Sequence, residues 1–558
     1  MDAWLPQSIL ALRGYSRRDL WADLLAGITV GLVALPLAMA FAIASGLPPQ
    51  AGLITAVVAG FLISALGGSR TQIGGPTGAF VVVIAGIVAR FGVDGLFTCT
   101  LMAGVLLVLL GATGLGTAVR FIPRPVVIGF TNGIAVLIAS TQIKDFFGLT
   151  IPHPSSVFVP RLIEIAHALP TWSRPTTLLG VGALAVVLLA PRIFPRVPGS
   201  IVALVLGTAA AMLLPGAGFE TIGTRFGTLP AGLTAFRVPH VRPELVHELL
   251  APSLTVAMLG AIESLLSATV ADRMTKDRHN PNVELVAQGI ANIASPMFGG
   301  LPATGAIART ATSIRSGART PVAGMVHALT LLAVLMFAAP LTQHVPIAVL
   351  SAILLVVSWN MGEWQEIPEL LKLSKADISV WLVTFMLTVF ADLTLAVEAG
   401  MILAALLFIR KVAATTTISE ITHEEIAGGR VHVMQDKHIP GYVTVFRIHG
   451  PFLFGSTDKL DEVARRVDRL TPIVVLRLRN MTAIDATGLQ AIEDLADRLH
   501  AAGRTLILCG ARQQPAQLMA RAEFDQHVGH ENICPNIQAA LARASELYDA
   551  GPARAAAN

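Results

Sequence analysis

Cysteine is scarce in this sequence of 558 residues, which contains only Cys99, Cys509 and Cys534. No two of them form a CxxC pair, and three scattered thiols are too few for a disulfide framework or a cysteine-based metal centre. We therefore expect no disulfide-stabilised fold and no metal ion. No motif in the chain indicates a cofactor.

Charged residues are the second scarcity. Asp, Glu, Lys and Arg make up 14% of the chain and hydrophobic residues 54%, whereas soluble domains are about 25% charged and about 45–50% apolar. This composition excludes a soluble single-domain enzyme, and we expect no enzymatic activity. The charges are also uneven, since residues 413–558 hold 32 of the 76 charged residues. The composition predicts a large part in lipid and a smaller part in water.

The basic residues indicate orientation in a membrane and not a nucleic-acid partner, although the net charge is +4. Arg17 and Arg18 precede the first long apolar run and Arg410 follows the last, whereas the loops at 45–50 and 392–394 contain no Lys or Arg. Basic loops collect on the cytoplasmic side. We predict that both termini are cytoplasmic and that the number of spans is even.

Apolar runs long enough to suggest membrane spans, which need about 20 residues, recur through the first 412 positions. Two of the 14 runs are short, and each follows a Gly/Pro break at the same place in its half of the series. Such a pair is typical of transporters that bind substrate between half-helices at the membrane midplane. With seven spans in each half, the second half enters from the opposite side, which predicts an inverted repeat. The runs are 23–44, 51–66, 76–90, 95–118, 125–143, 176–191, 199–215, 249–271, 283–298, 303–314, 321–340, 345–360, 376–391 and 394–410.

After the last span the pattern changes to that of a soluble α/β domain. Residues 442–448, 473–478 and 505–509 read as strands, and 488–501 as an amphipathic helix. The predicted fold is a polytopic α-helical membrane protein with a cytoplasmic α/β domain. The predicted segments are a cytoplasmic N-terminus at 1–20, a membrane domain at 21–412, a linker at 413–436, the α/β domain at 437–550 and a disordered tail at 551–558.

The two short segments, 76–90 and 303–314, would point helix N-termini at one spot if they face each other. Helix N-termini present free N–H groups and the positive end of a dipole, so the pair would form a cradle for an anion. The alternative is that each Gly/Pro break is a tight turn between ordinary spans. Two breaks at symmetric positions favour the anion site, because broken backbone is tolerated in lipid only where it lines a cavity.

Glu263 and Arg309 are ionisable residues inside predicted spans, where each costs about 2.5–3.5 kcal/mol on insertion scales. We hypothesise that they approach one another near the anion site, with Arg309 adding positive field and Glu263 binding a coupling proton. The alternative is a buried Glu–Arg ion pair that holds two helices together.

The membrane part contains several long motifs, at residues 26–42, 46–49, 75–76, 284–292 and 298–310. They are similar to those of the SulP (sulfate permease) family of anion transporters, and the likeness covers nearly the whole chain. The C-terminal part, with its run at 480–488, resembles the STAS domain of that family. The stretch 360–363 and the short connection into the STAS part look most like proteobacterial members that take up C4-dicarboxylates.

The resemblance implies a secondary active anion transporter of the sulfate, C4-dicarboxylate or bicarbonate class in a bacterial inner membrane. It implies a seven-plus-seven inverted repeat, a core domain of spans 1–4 and 8–11, a gate domain of spans 5–7 and 12–14, elevator-type alternating access and a homodimer. It also implies a substrate site, whose residues would be Phe41, Thr77, Gly78, Ala306, Ala308 and Arg309.

The coupling ion is also inferred from the resemblance. Sodium-coupled bicarbonate members have Asp at the place of Glu263 and hydroxyl residues at the places of Ser267 and Ile307. An isoleucine side chain cannot coordinate sodium, so the resemblance favours proton-coupled symport through Glu263. An uncoupled anion channel or exchanger with the same fold remains an alternative.

The run Asp485-Ala-Thr487-Gly488 resembles the loop that is phosphorylated in anti-sigma antagonists. Thr487 stands at the phosphorylation position of that loop. This makes Thr487 a candidate regulatory phosphosite, and the STAS domain a candidate binding surface for a cytoplasmic protein. A membrane-tethered signalling protein is therefore a second hypothesis. The simpler interpretation is that Thr487 caps a helix beginning at Gly488, because Thr is a common N-cap.

Overall fold

The computed structural model describes residues 4–117, 123–152, 154–193, 197–228, 230, 232–239, 242–391, 393–421 and 439–551. The chain folds into two compact units, Met1–Ile402 and Leu403–Asn558. Parts of the predicted segments, namely residues 1–3 of the N-terminus, 422–436 of the linker and 552–558 of the tail, lie outside the described residues. The segment limits remain predictions.

The first unit is built almost entirely of helices. Apart from one small sheet, described below, its described residues form α1 (Gln7–Leu12), α2 (Arg17–Ala44), α3 (Pro49–Leu66), α4 (Gly78–Ala112), α5 (Arg124–Phe147), α6 (Phe158–Ala168), α7 (Arg174–Ile193), α8 (Gly199–Leu213), α9 (Ile222–Phe226), α10 (Pro243–Thr275), α11 (Pro281–Met297), α12 (Ile307–Arg315), α13 (Val322–Phe337), α14 (Ala339–Thr342), α15 (Ile347–Met361), α16 (Ile367–Leu370), α17 (Lys375–Phe390) and α18 (Leu393–Thr415), the last of which continues into the second unit. Short 3₁₀ turns lie at Leu169–Thr171, Pro215–Ala217 and Trp364–Glu366.

Each of the 14 apolar runs predicted from the sequence falls on one of these helices or on half of α4. Within α4, Gly92 has φ +70° and ψ −175°, which breaks the helix into two spans. Within the described ranges, seven helices are long and apolar enough to cross a membrane, while α8 and α13 are shorter apolar helices. The fold is therefore the predicted polytopic helical membrane core.

A two-stranded antiparallel sheet joins the two interrupted segments. Strand β1 (Gly74–Gly75) pairs with β2 (Thr304–Gly305), with Gly74 opposite Gly305 and Gly75 opposite Thr304. The Ala306 amide continues the pairing by donating to the Ile73 carbonyl at 2.8 Å. Because α4 follows β1 and α12 follows β2, the pairing brings the two helix N-termini together.

The second unit contains a five-stranded sheet in its described residues, in the order β3 (Thr417–Glu420), β4 (Val443–Phe452), β5 (Ile473–Ile484), β6 (Thr505–Cys509) and β7 (Ile533–Cys534). The β3–β4 pair is antiparallel and the other neighbouring pairs are parallel. Helices connect or flank the strands at Asp458–Ala464, Ala486–Ala501, Gln513–Arg521, Asp525–Val528 and Ile537–Asp549, with 3₁₀ turns at Phe454–Ser456, Val467–Arg469 and His530–Asn532. The α/β prediction is confirmed, although β4 and β5 extend beyond the predicted strands.

Candidate functional site

The N-termini of α4 and α12 meet at the small sheet, and both are free of side-chain caps. Thr77 is the N-cap residue of α4 and Ala306 that of α12, and neither side chain accepts a hydrogen bond from the helix that follows. Amide donors of these first turns therefore remain available for a ligand, and both helix dipoles present their positive ends at this place. This arrangement suits a small anion.

Glu263 of α10 reaches the same place. The Thr77 hydroxyl donates a hydrogen bond to Glu263 Oε2 at 3.0 Å. The side chain that begins one half-helix thus contacts the carboxyl group predicted to carry the proton. Glu263 is only partly buried, because it borders a small cavity of about 50 Å³ whose lining also includes Phe130, Thr131, Ile307 and Glu363.

Arg309 of α12 is 4% exposed and points to the start of α4, where its Nη2 donates to the Pro76 carbonyl. Gly75 makes room for the guanidinium, because a Cβ atom there would lie 2.6 Å from Arg309 Nη1, and its φ of +146° also favours glycine. Among the described residues, Arg309 has no carboxylate oxygen within 4.0 Å. The alternative of a direct Glu263–Arg309 ion pair is therefore wrong, since the two residues contact neighbouring positions of the segment that begins α4.

The other predicted substrate-site residues differ in their surroundings. Ala306 is 7% exposed, whereas Ala308 is exposed on the first turn of α12. A Cβ atom at Gly78 would lie 3.2 Å from Met361 Sδ and 3.3 Å from Ile138 Cδ1, so the first turn of α4 packs closely against α15 and α5. Phe41, which is 5% exposed, lies in the apolar cluster that fills the membrane unit.

A further set of polar contacts, which the sequence reasoning missed, fixes the two segments. Thr310 Oγ1 accepts from the Ile73 amide at 3.0 Å and lies 3.1 Å from Ser267 Oγ. Gln72 Nε2 donates to Ser264 Oγ at 3.0 Å. Ser and Thr are common on buried helix faces, so Ser264, Ser267 and Thr310 carry no signal in the sequence that predicts these contacts.

Glu284 is a missed residue that did carry a signal. It is an ionisable side chain inside an apolar span, as Glu263 is, and it is 1% exposed. Its place in the first turn of α11 hides this signal, because acidic residues are common at helix starts. Its carboxylate accepts from the Gly68 and Ser69 amides, which precede β1.

Thr487 lies in the second unit, and the simpler interpretation of this residue is wrong. The helix begins at Ala486, and Asp485 is its N-cap, accepting from the Gly488 amide at 2.8 Å. Thr487 is exposed in the first turn. Its hydroxyl is therefore not needed for capping and is accessible for modification. Within the described residues no group of three or more His, Cys, Asp or Glu side chains could hold a metal ion.

Comparisons with known proteins agree for both units. The family model described as "Sulfate permease family" matches residues 20–384, and the STAS domain model matches residues 434–540. The putative sulfate transporter YvdB of Bacillus subtilis is 40% identical over 523 residues, covering 93% of this chain and 97% of that protein. The bicarbonate transporter BicA of Synechocystis is 32% identical over 541 residues, covering 94% of each.

Solved structures have the same fold. A structure of SLC26A9 matches with a TM-score of 0.88 at 17% identity, covering 98% of this chain and 94% of that one. The transmembrane domain of a cyanobacterial bicarbonate transporter, BicA, matches with a TM-score of 0.62 at 33% identity, covering 70% of this chain and 98% of that domain.

Proposed function

The chain belongs to the sulfate permease family, and on that premise we propose that it is a secondary active transporter that carries a small oxyanion together with a proton. It is a membrane transporter and not an enzyme, because its relatives are named as transporters. Sulfate and bicarbonate are the first candidate substrates because relatives are named as transporters of these anions. A C4-dicarboxylate is the third candidate, from the stretch Asn360–Glu363.

The observation that carries this proposal is the hydrogen bond from Thr77 to Glu263. An ionised carboxylate only accepts hydrogen bonds, whereas a protonated one also donates. While Glu263 is ionised, it holds the Thr77 hydroxyl as a donor. Protonation removes the charge that fixes this contact, and the hydroxyl at the start of α4 becomes free to donate to an anion.

The local charges favour binding of anion and proton together. Arg309 contributes one positive charge and an ionised Glu263 one negative charge, so these two residues together carry no net charge. A proton on Glu263 leaves the pair with one positive charge, which strengthens anion binding. By reciprocity, a bound anion strengthens proton binding by the same factor. This linkage is what a symporter requires.

The close packing of Gly78 against Ile138 and Met361 supports alternating access by relative movement of a core and a gate. In this proposal, spans 1–4 and 8–11 carry the site past spans 5–7 and 12–14 in an elevator-type motion. A Gly at the contact lets the two surfaces slide closely. We assign Phe41, Thr77, Gly78, Ala306, Ala308 and Arg309 to the substrate site and Glu263 to proton coupling.

The remaining assignments concern the whole protein in its membrane. The alternation of basic loops supports a bacterial inner membrane location with both termini in the cytoplasm. Homodimerisation and binding of a cytoplasmic protein by the STAS domain are further parts of the proposal. A phosphate on Thr487 would be favoured by the dipole of the helix Ala486–Ala501, which makes this residue a suitable switch for such binding.

Uptake into proteoliposomes tests the proposal. The purified full-length chain is reconstituted, and accumulation of radiolabelled sulfate, bicarbonate and succinate is measured with and without an inward proton gradient. We expect one of these anions to accumulate above equilibrium only with the gradient. Equilibration without accumulation would indicate a channel or exchanger, and no flux of any anion would favour the signalling hypothesis.

A further inference from the structure

A second cavity in the membrane unit lies away from the half-helix site. It has a volume of about 680 Å³, and its lining includes Ile43 of α2, Val88 of α4, Gln142 of α5 and Arg161 of α6. None of Thr77, Glu263 and Arg309 lines it. The cavity is therefore separate from the site described above, although the same helices α2, α4 and α5 border it.

Arg161 is a buried cation at the wall of this cavity, with 5% of its surface exposed. Its guanidinium is bound only by neutral oxygens, since Nε donates to Ser155 O at 2.9 Å, Nη2 to Ser156 O at 2.7 Å and Nη1 to Ser140 Oγ at 3.0 Å. A guanidinium has five N–H donors, so two remain for another acceptor. In the described parts of the chain, no carboxylate oxygen lies within 4.0 Å of it.

The carboxylate of Glu164 lies on the same helix but is committed elsewhere, because its Oε2 accepts from the Ser155 amide at 2.8 Å. Burial lowers the pKa of Arg161 from its ordinary value, while the charge of Glu164 raises it. Burying a charged group that no opposite charge contacts is costly. A bound anion would offset this cost.

Lys144 adds a second cation to the same cavity. Its ammonium group donates to the Ile151 carbonyl at 2.6 Å, and among the described residues it forms no ion pair within 4.0 Å. Arg225 also lines the cavity, but it is neutralised by Asp145 at 2.7 Å and Glu220 at 2.6 Å. Three cations and one carboxylate, Asp145, therefore line the cavity. Among the described residues, Lys144 and Arg161 form no ion pair within 4.0 Å, although the charges of Glu220 and Glu164 act on them from farther away.

We propose that this cavity is an anion-binding vestibule, in which Lys144 and Arg161 hold a small oxyanion before it enters, or after it leaves, the half-helix site. The cavity lies beside the loops after α2 and α5, which the proposed orientation places on the non-cytoplasmic side. Its identification as a transport vestibule rests on the proposed function. A cationic cavity with low-dielectric walls concentrates anions locally.

Cysteine labelling tests the vestibule without requiring transport. Ser156 lines the cavity with an exposed side chain, so Ser156→Cys supplies a thiol there, while the native cysteines are buried. Rates are measured with anionic sulfonatoethyl and cationic trimethylammonioethyl methanethiosulfonate, each normalised to the neutral methyl reagent, from both sides of the membrane. Ala235→Cys, an exposed position that does not line the cavity, is the matched control.

We expect the anionic reagent to react about ten-fold faster than the cationic one at Ser156→Cys but not at Ala235→Cys. Adding Lys144→Gln should lower this ratio about five-fold. We choose Lys144→Gln over Arg161→Gln because the loss of Arg161 would also remove its three hydrogen bonds to Ser140, Ser155 and Ser156. Sulfate or bicarbonate, at an ionic strength kept constant with gluconate, should slow labelling at Ser156→Cys alone.

Equal rates for the two charged reagents, a ratio unaffected by Lys144→Gln, or labelling that neither sulfate nor bicarbonate slows would overturn the vestibule. A charge-dependent, protected thiol in a protein that transports no anion would retain the binding site and reject the proposed function. Anion uptake by a protein whose Ser156→Cys thiol reacts equally with both charged reagents would retain the proposed function and reject the vestibule.

Discussion

Two glutamates lie in neighbouring helices of the membrane unit and have different surroundings. Glu284 of α11 accepts four hydrogen bonds, from the Gly68 amide at 2.9 Å, the Ser69 amide at 3.1 Å, Gln288 Nε2 at 3.0 Å and Ser264 Oγ at 3.3 Å. Glu263 of α10 accepts from the Thr77 hydroxyl, its one hydrogen-bond donor among the described residues, and borders a cavity.

The number of donors separates a structural carboxylate from one that can exchange a proton. Both oxygens of Glu284 are engaged by donors, an arrangement that suits an ionised acceptor. Glu263 has one oxygen bound by a hydroxyl that can rotate away. We infer that Glu284 fixes the segment before β1, whereas Glu263 can change its protonation as the transporter works.

The largest effect should come from Glu284→Gln. A glutamine places an N–H₂ group where donors already point, so buried donors lose their acceptor and the charge that held them. Each buried donor that is left without an acceptor costs about 1–3 kcal/mol. We expect much lower thermal stability in detergent or no folded protein. Glu263→Gln is the matched control and should unfold near the wild-type temperature. Equal stability of both variants would remove the structural role of Glu284.

Arg309→Ala should have the next largest effect, on anion affinity. The guanidinium is the one cationic side chain placed at the start of α4 among the described residues, whereas the helix dipoles remain in the variant. We expect anion affinity to fall about ten-fold or more, because charge-assisted hydrogen bonds contribute about 1.5–3 kcal/mol. The measurement is the anion-dependent shift in unfolding temperature.

Arg315→Ala is the control for this prediction, because Arg315 is exposed at the end of the same helix. It should bind the anion as the wild type does. Wild-type affinity in Arg309→Ala would exclude Arg309 from the site.

Thr77→Val should have the smallest effect, on coupling. Valine keeps the shape of threonine but cannot donate to Glu263, and a single hydrogen bond contributes about 0.5–1.5 kcal/mol. We expect the ratio of uptake with and without a proton gradient to fall about five-fold, and Thr77→Ser to retain the wild-type ratio. If valine and serine behave alike, the hydroxyl has no part in coupling. A bulkier change, Thr77→Leu, should block uptake altogether.

The sequence was sufficient to predict the membrane helices and the pair of interrupted segments, because hydropathy and Gly/Pro breaks are local signals. It also identified Glu263 and Arg309, since ionisable groups in apolar spans are rare. The partner of Arg309 is a backbone carbonyl, that of Pro76, and no side-chain pattern marks such a contact. The pairing of β1 with β2 and the four donors around Glu284 depend on residues far apart in the chain, so only the folded structure reveals them.

The N-cap of the helix Ala486–Ala501 in the second unit is another feature that the sequence alone did not identify. Asp485 and Thr487 are both suitable N-cap residues, and they lie two positions apart. The cap is Asp485 because its other oxygen also accepts from the Phe454 amide at 3.1 Å. That contact, which fixes the side chain of Asp485, is not local in the sequence.

The most direct test of the central claim, that Glu263 carries the coupling proton, compares two modes of transport in Glu263→Gln. Glutamine imitates the protonated carboxyl permanently, so the anion site should keep the affinity of the protonated state. We predict that this variant exchanges labelled for unlabelled anion across proteoliposome membranes at a rate within about three-fold of the wild type. It should no longer accumulate the anion in response to an inward proton gradient. Gradient-driven accumulation at the wild-type level in Glu263→Gln would contradict the account and leave Glu263 a structural residue.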